Sequence, residues 1–173
     1  MRMDLVPAIA LAWAPVPPGA PRRDVAWRLL RELAGAHVGI ANPCPRCGGP
    51  HGPVVLVGDD RRASVSYSGS LAFAAVARPG VAALGLDAEP EERDLAGVDL
   101  AGGAPATARD WVRAEAVLKA DGRGLSLDPA AVDVRRAPDG RLTARIGPQG
   151  STYLIEDLAG PRGHVVSAAY RDA

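Results

Sequence analysis

Apolar residues recur at helical spacing twice along this chain and alternate or run in short blocks elsewhere. The first 21 residues are apolar but interrupted by Pro7, Pro15, Pro17 and Pro18, which predicts one strand over about Leu5 to Trp13 and then a loop. After Pro21, Val25, Leu29, Leu30 and Leu33 share one helical face, with Arg22, Arg23, Arg28 and Arg31 along the same segment. Gly35 ends that helix. Asn42 to Pro53 is a Pro/Gly-rich loop, and Val54 to Val57 a short strand closed by Gly58-Asp59-Asp60. From Ala63 to Gly69 small polar and larger residues alternate. Leu71 to Ala77 is an apolar run, Arg78-Pro79-Gly80 a tight turn, and Val81 to Glu89 the strand expected to pair back as a β-hairpin.

Residues 90–106 lack periodicity and form a connector. Thr107 opens a second helix, with Asp110 at capping-box spacing, that runs to about Ala120 and stops at Gly122 or Gly124. Short strands follow over Val132 to Arg136, Leu142 to Ile146, Tyr153 to Asp157 and Val165 to Tyr170, with a turn at Pro138-Asp139-Gly140. Each half thus contributes one helix and several strands. The expected class is α+β, without βαβ alternation.

Composition sharpens this only in part. At 173 residues and 47% hydrophobic, the chain can build one domain or two small lobes around a shared core. Few aromatic residues are present, so the core must be Ala, Val and Leu, with Trp13, Trp27, Trp111 and Phe73 as large fillers. The net charge of zero argues for neither nucleic acid nor an acidic surface partner. The prolines break any secretory leader, and no stretch is long and apolar enough to span a bilayer. Two cysteines make no disulfide framework. A soluble, cytoplasmic protein is expected.

Candidate chemistry centres on three carboxylates. Asp87 and Glu89 stand one residue apart at the end of an apolar strand and share a face. Two acids there repel unless a cation, such as magnesium with its preference for oxygen, lies between them. The third, Glu115, shares a helical stripe with Trp111 and Lys119. Taken singly, each feature has a plainer reading: a strand exit facing water, an exposed i, i+4 ion pair, a core tryptophan.

Taken together they are more specific. Gly85-Leu86-Asp87-Ala88-Glu89, followed by Trp111-Val112-Arg113-Ala114-Glu115-Ala116-Val117-Leu118-Lys119, resembles the paired signature motifs of the 4′-phosphopantetheinyl transferase superfamily. Gly122-Arg123-Gly124-Leu125 is similar to its Gly-x-Gly-Leu stretch, and Ser66-Tyr67-Ser68 stands where the family carries Ser-His-Ser. The resemblance covers roughly residues 22–170 and is closest to the larger, pseudo-dimeric class serving peptide and polyketide synthases. It implies a monomer of two similar lobes, 1–84 and 85–173, related by pseudo-two-fold symmetry. It implies transfer of the phosphopantetheine arm of coenzyme A to a serine of an apo acyl or peptidyl carrier protein. Asp87, Glu89 and Glu115 would hold Mg2+, with Glu115 also helping to deprotonate the serine. Lys119 would meet the pyrophosphate, and Ser66, Tyr67, Arg23 and Arg28 would contact coenzyme A.

Three departures accompany the resemblance. Tyr67 replaces a histidine and brings no positive charge; Ala114 replaces a lysine; and only 26 positions separate Glu89 from Glu115, where the family fits further helix near its carrier-docking surface. These favour a second reading, a catalytically impaired member that binds coenzyme A or a carrier protein. The retained acids and Lys119 weigh against it. A third reading, a small zinc-binding interaction protein, rests on Cys44-Pro45-Arg46-Cys47-Gly48 with His51 close behind. This looks like half of a four-ligand site, with His37 and His164 as the remaining candidates, and its plainer reading is a loop with reduced thiols.

Overall fold

A computed structural model describes residues 8–101 and 106–173. The beginning of the expected first strand, from Leu5 to Pro7, and positions 102–105 of the connector lie outside the described residues.

Strand β1 (Ile9–Pro15) leads into helix α1 (Arg22–Ala34), which buries Val25, Ala26, Leu29, Leu30 and Ala34. Gly35 stops the helix at φ 118°, its N–H donating to the Arg31 carbonyl. Strands β2 (Gly39–Ala41) and β3 (Val55–Val57) pair with each other around the Pro/Gly-rich loop. The sequence gives no separate signal for β2, which is too short to show alternation. Strands β4 (Ala63–Ser68) and β5 (Leu71–Ala77) complete an antiparallel sheet in the order β1-β5-β4.

Strand β6 (Val81–Pro90) departs from the sequence expectation. It does not form a hairpin with β5, because β1 and β4 already occupy both edges of β5. The Arg78-Pro79-Gly80 turn instead carries the chain into a second sheet. There β6 pairs with β10 (His164–Asp172), and the order is β6-β10-β9-β8-β7. The other members are β7 (Val132–Arg136), β8 (Leu142–Ile146) and β9 (Thr152–Leu158). All pairings are antiparallel.

Helix α2 (Ala108–Asp121) carries the expected reciprocal cap: the Asp110 N–H donates to Thr107 Oγ1, and the Thr107 N–H to the Asp110 carboxylate. Gly122, at φ 86°, ends it.

The resulting layers run helix, sheet, sheet, helix. Helix α1 covers Ala72, Ala74 and Val76 on one face of the first sheet. The other face, with Ile9, Phe73, Ala75 and Ala77, packs against Leu84, Leu86, Ala88, Val166, Ala168 and Tyr170 of the second. Helix α2 closes the far side over Ala144, Tyr153, Ile155 and Ala169. Because β5 is buried on both faces it reads as a continuous apolar run. Both sheets begin with the same arrangement, the first strand of the half beside the last and the last beside the penultimate: β1-β5-β4 and β6-β10-β9. Among the described residues no helix is long and apolar enough to cross a membrane.

Candidate functional site

Alternation along β6 divides its side chains. Leu84, Leu86 and Ala88 enter the core between the sheets, while Gly85, Asp87 and Glu89 fall on the other face. Gly85 sets the distance to α2. A Cβ there would lie 2.0 Å from the Ala116 carbonyl oxygen and 2.4 Å from the Ala120 nitrogen, so the helix backbone rests on a position where no side chain fits. That close approach brings Glu115 and Lys119 to Asp87.

Asp87 and Glu115 are 5% and 7% exposed, far more buried than carboxylates usually are. Lys119 Nζ lies 2.7 Å from Asp87 Oδ1, donates to the Leu86 carbonyl at 3.0 Å, and is 3.4 Å from Ser66 Oγ. Ser66 Oγ donates to the same Asp87 oxygen at 2.9 Å. Lys119 is the only lysine in the chain; every other strong cation is arginine. Asp87 Oδ2 and Glu115 Oε1 are buried with no hydrogen-bond partner among the described residues. Burial raises the Glu115 pKa, Asp87 adds to that rise, and Lys119 and Arg93 oppose it.

Glu89 is placed differently. It ion-pairs with Arg93, whose guanidinium lies 5.2 Å from the centre of the Trp111 ring. Its carboxylate therefore does not close on the other two. Among the described residues, the only group of three or more His, Cys, Asp or Glu with ligand atoms all within 4.8 Å is Cys44, Cys47 and His51.

Strand β4 supplies the opposite wall. Its serines, not its larger residues, face inward: Ser64, Ser66 and Ser68 are all buried. Ser64 Oγ accepts the Leu86 N–H at 2.9 Å, satisfying the edge of β6 that no strand covers. Tyr67 points the other way, toward α1, with the Arg22 guanidinium 5.0 Å from its ring centre. Burial raises its phenol pKa against the pull of Arg23 and Arg22. Arg23 also donates to the Pro50 carbonyl and lies over Trp27.

The sequence candidates thus separate into groups. Ser66, Asp87, Glu115 and Lys119 meet at one point, with Glu89 beside them but engaged by Arg93. Tyr67 and Arg23 lie across β4 from that point. Arg28 is exposed and paired with Glu32 on its own helix. Sequence reasoning did not single out Ser64, Arg22 or Arg93 for this region. The regular Ser-x-Ser-x-Ser spacing was the available signal for Ser64, and the chain's solitary lysine was a stronger pointer to Lys119 than its place in a helical stripe.

A cleft of about 330 Å³ opens between the halves, lined by His51, Val54 and Ser64 from the first and Leu84, Lys119 and Gly124 from the second. At its rim, Cys47 Sγ is 3.4 Å from His51 Nε2. The backbone N–H groups of Arg46 and then Cys47 lower the Cys44 thiol pKa to about 7. No protein-family model matches this chain, and no curated protein matches it.

Proposed function

We propose that the protein moves the 4′-phosphopantetheine arm of coenzyme A onto a serine of an apo acyl or peptidyl carrier protein, using magnesium. The single observation that carries this reading is the pairing of the chain's only lysine with buried Asp87 on an inter-half cleft, beside unpartnered oxygens of Asp87 and Glu115. Two orphaned, buried carboxylate oxygens form a hard, anionic donor set that suits a divalent cation. Asp87 and Glu115 would hold magnesium, and Glu89 would join them on releasing Arg93. Magnesium, when bound, supplies charge neutralisation on the pyrophosphate.

The chain's own residues have distinct parts in the transfer. Glu115, with its raised pKa, accepts the proton of the carrier serine as the serine oxygen attacks phosphorus. The phosphoanhydride P–O bond breaks, and its electron pair leaves with adenosine 3′,5′-bisphosphate. Lys119 balances the negative charge that grows on this leaving group. Arg22 and Arg23 offer phosphate-binding cations near Tyr67, supplying the positive charge that a histidine would bring and Tyr67 lacks. The repeated strand order supports two lobes related by a pseudo-two-fold within the chain.

A second reading, a coenzyme A or carrier-protein binding module without turnover, is favoured by the ion pairs themselves. Lys119 neutralises Asp87 and Arg93 neutralises Glu89, so two of the three acids are balanced without a metal. Intact-mass spectrometry of apo carrier proteins, incubated with this protein, coenzyme A and magnesium, separates the two. The expected result is a mass gain of one phosphopantetheine arm, abolished by chelation and by Lys119→Met. No gain across peptide-synthase, polyketide and fatty-acid carriers, with coenzyme A still bound, would establish the binding module instead.

A further inference from the structure

We propose that Cys44, Cys47 and His51 form a zinc site with three protein ligands and an open fourth position. The site is separate from the carboxylate centre and does not depend on the transferase reading.

The three side chains occupy the loop between β2 and β3, and their ligand atoms all lie within 4.8 Å of one another. One ion can therefore reach all three with small side-chain adjustments. Two thiols and an imidazole are the soft and borderline donors that zinc takes, unlike the oxygen set around Asp87. Both cysteines are free.

The backbone is shaped around these donors. The Gly48 N–H donates to the Cys44 carbonyl and the Cys44 N–H to the Gly49 carbonyl, each at 2.8 Å, so the two cysteines lie on one tight turn. Gly48, at φ 71°, permits that turn. A Cβ on Gly49 would come within 3.1 Å of the His51 ring and 3.4 Å of Cys47 Sγ, inside the space the ligands share. A Cβ on Gly52 would fall 2.1 Å from the Pro43 carbonyl oxygen, which fixes the return of the loop beside Cys44.

His37 and His164, the sequence candidates for a fourth ligand, do not join this group among the described residues. His164 packs against Phe73. Cys47 and His51 are exposed, so water or an added ligand can complete a tetrahedron. The site has a mechanical role as well. Arg23 and Asn42 both donate to the Pro50 carbonyl, and His51 to Val54 form one wall of the cleft. A metal bridge across a loop with little apolar packing holds that wall in place.

The test uses the whole chain, purified under reducing conditions. Bound zinc is measured by elemental mass spectrometry, and cobalt replaces it as a spectroscopic probe. One zinc per chain is expected, with a cobalt spectrum showing thiolate charge transfer and tetrahedral ligand-field bands. Cys47→Ser should remove most of the charge transfer and weaken zinc binding more than tenfold, and His51→Gln should weaken binding while retaining the charge transfer. Asp87→Asn should leave the cobalt spectrum unchanged, which separates this site from the carboxylates. A reduced, folded chain that retains no zinc and gives no thiolate charge transfer with cobalt overturns the proposal. So does a Cys44–Cys47 disulfide that persists in reductant.

Discussion

Glu115 is held where ionisation is unfavourable, by burial first and by Asp87 second. An acid whose folded pKa lies above its unfolded value gives stability that is complete below the unfolded pKa and lost as pH rises through the folded pKa. Glu115→Gln removes that penalty. The variant should melt above the parent at pH 7–8 and converge with it near pH 4, below the ordinary glutamate value of 4.5. Each kcal/mol relieved is worth about 2–4 °C in a domain of this size. Transfer should fall by about 100-fold or more, the usual contribution of a positioned proton acceptor. Calorimetry across pH, with the mass assay alongside, checks both; a variant that transfers at the parental rate removes Glu115 from the chemistry. At this scale the sequence was informative about which residues matter and silent about how they are paired. The spacing of Asp87, Glu115 and Lys119 carries their meeting, but that Glu89 belongs to Arg93 depends on the path of the connector, which has no periodicity to read.

Helix α2 and strand β6 form the working pair of elements, and their separation is set at Gly85. Gly85→Ala should push the helix outward, because its Cβ would overlap the backbone at Ala116 and Ala120. Overpacking of this kind costs about 1–3 kcal/mol, so thermal stability and transfer should fall together. A Gly85→Ala protein with parental melting temperature and activity would mean that the close contact is not what positions Glu115 and Lys119. Both helices and the four C-terminal strands were legible from apolar spacing and stop residues, since local periodicity and capping agree with the final packing there. The pairing of β6 with β10, in place of the expected β5–β6 hairpin, was not, because a tight turn between apolar strands specifies a change of direction and leaves the choice of partner edge to the rest of the chain. Strand β4 misleads in another way: its small polar residues lie inward, where alternation alone would place the larger ones.

Across the whole molecule, the two sheets meet through an apolar core on one side and through hydrogen bonds from β4 on the other. Ser64 and Ser66 close the free edge of β6 without adding a strand to it. Ser64→Ala leaves the buried Leu86 N–H unpaired, at a cost of about 1–3 kcal/mol. Native-state hydrogen exchange should show the Leu86 amide losing protection more than amides in the distant β8–β9 pair. Uniform loss across both halves would show that the serine contact has no local role in joining them. This interface was the least legible feature in the sequence, because it depends on residues more than twenty positions apart and on polar groups that usually face water.

The short passage Arg78-Pro79-Gly80 is the sole covalent crossing between the two halves, reinforced where Arg78 meets Asp172 and the Ala173 N–H meets the Gly80 carbonyl. Such a tether holds each half at a high effective concentration beside the other, so their association behaves as an intramolecular event. Contacts too weak to join two free chains are then sufficient to keep the cleft assembled. The proline fixes one backbone torsion and limits how far the halves can swing. Tether length is thus a geometric dial on cleft width, independent of any residue that lines it.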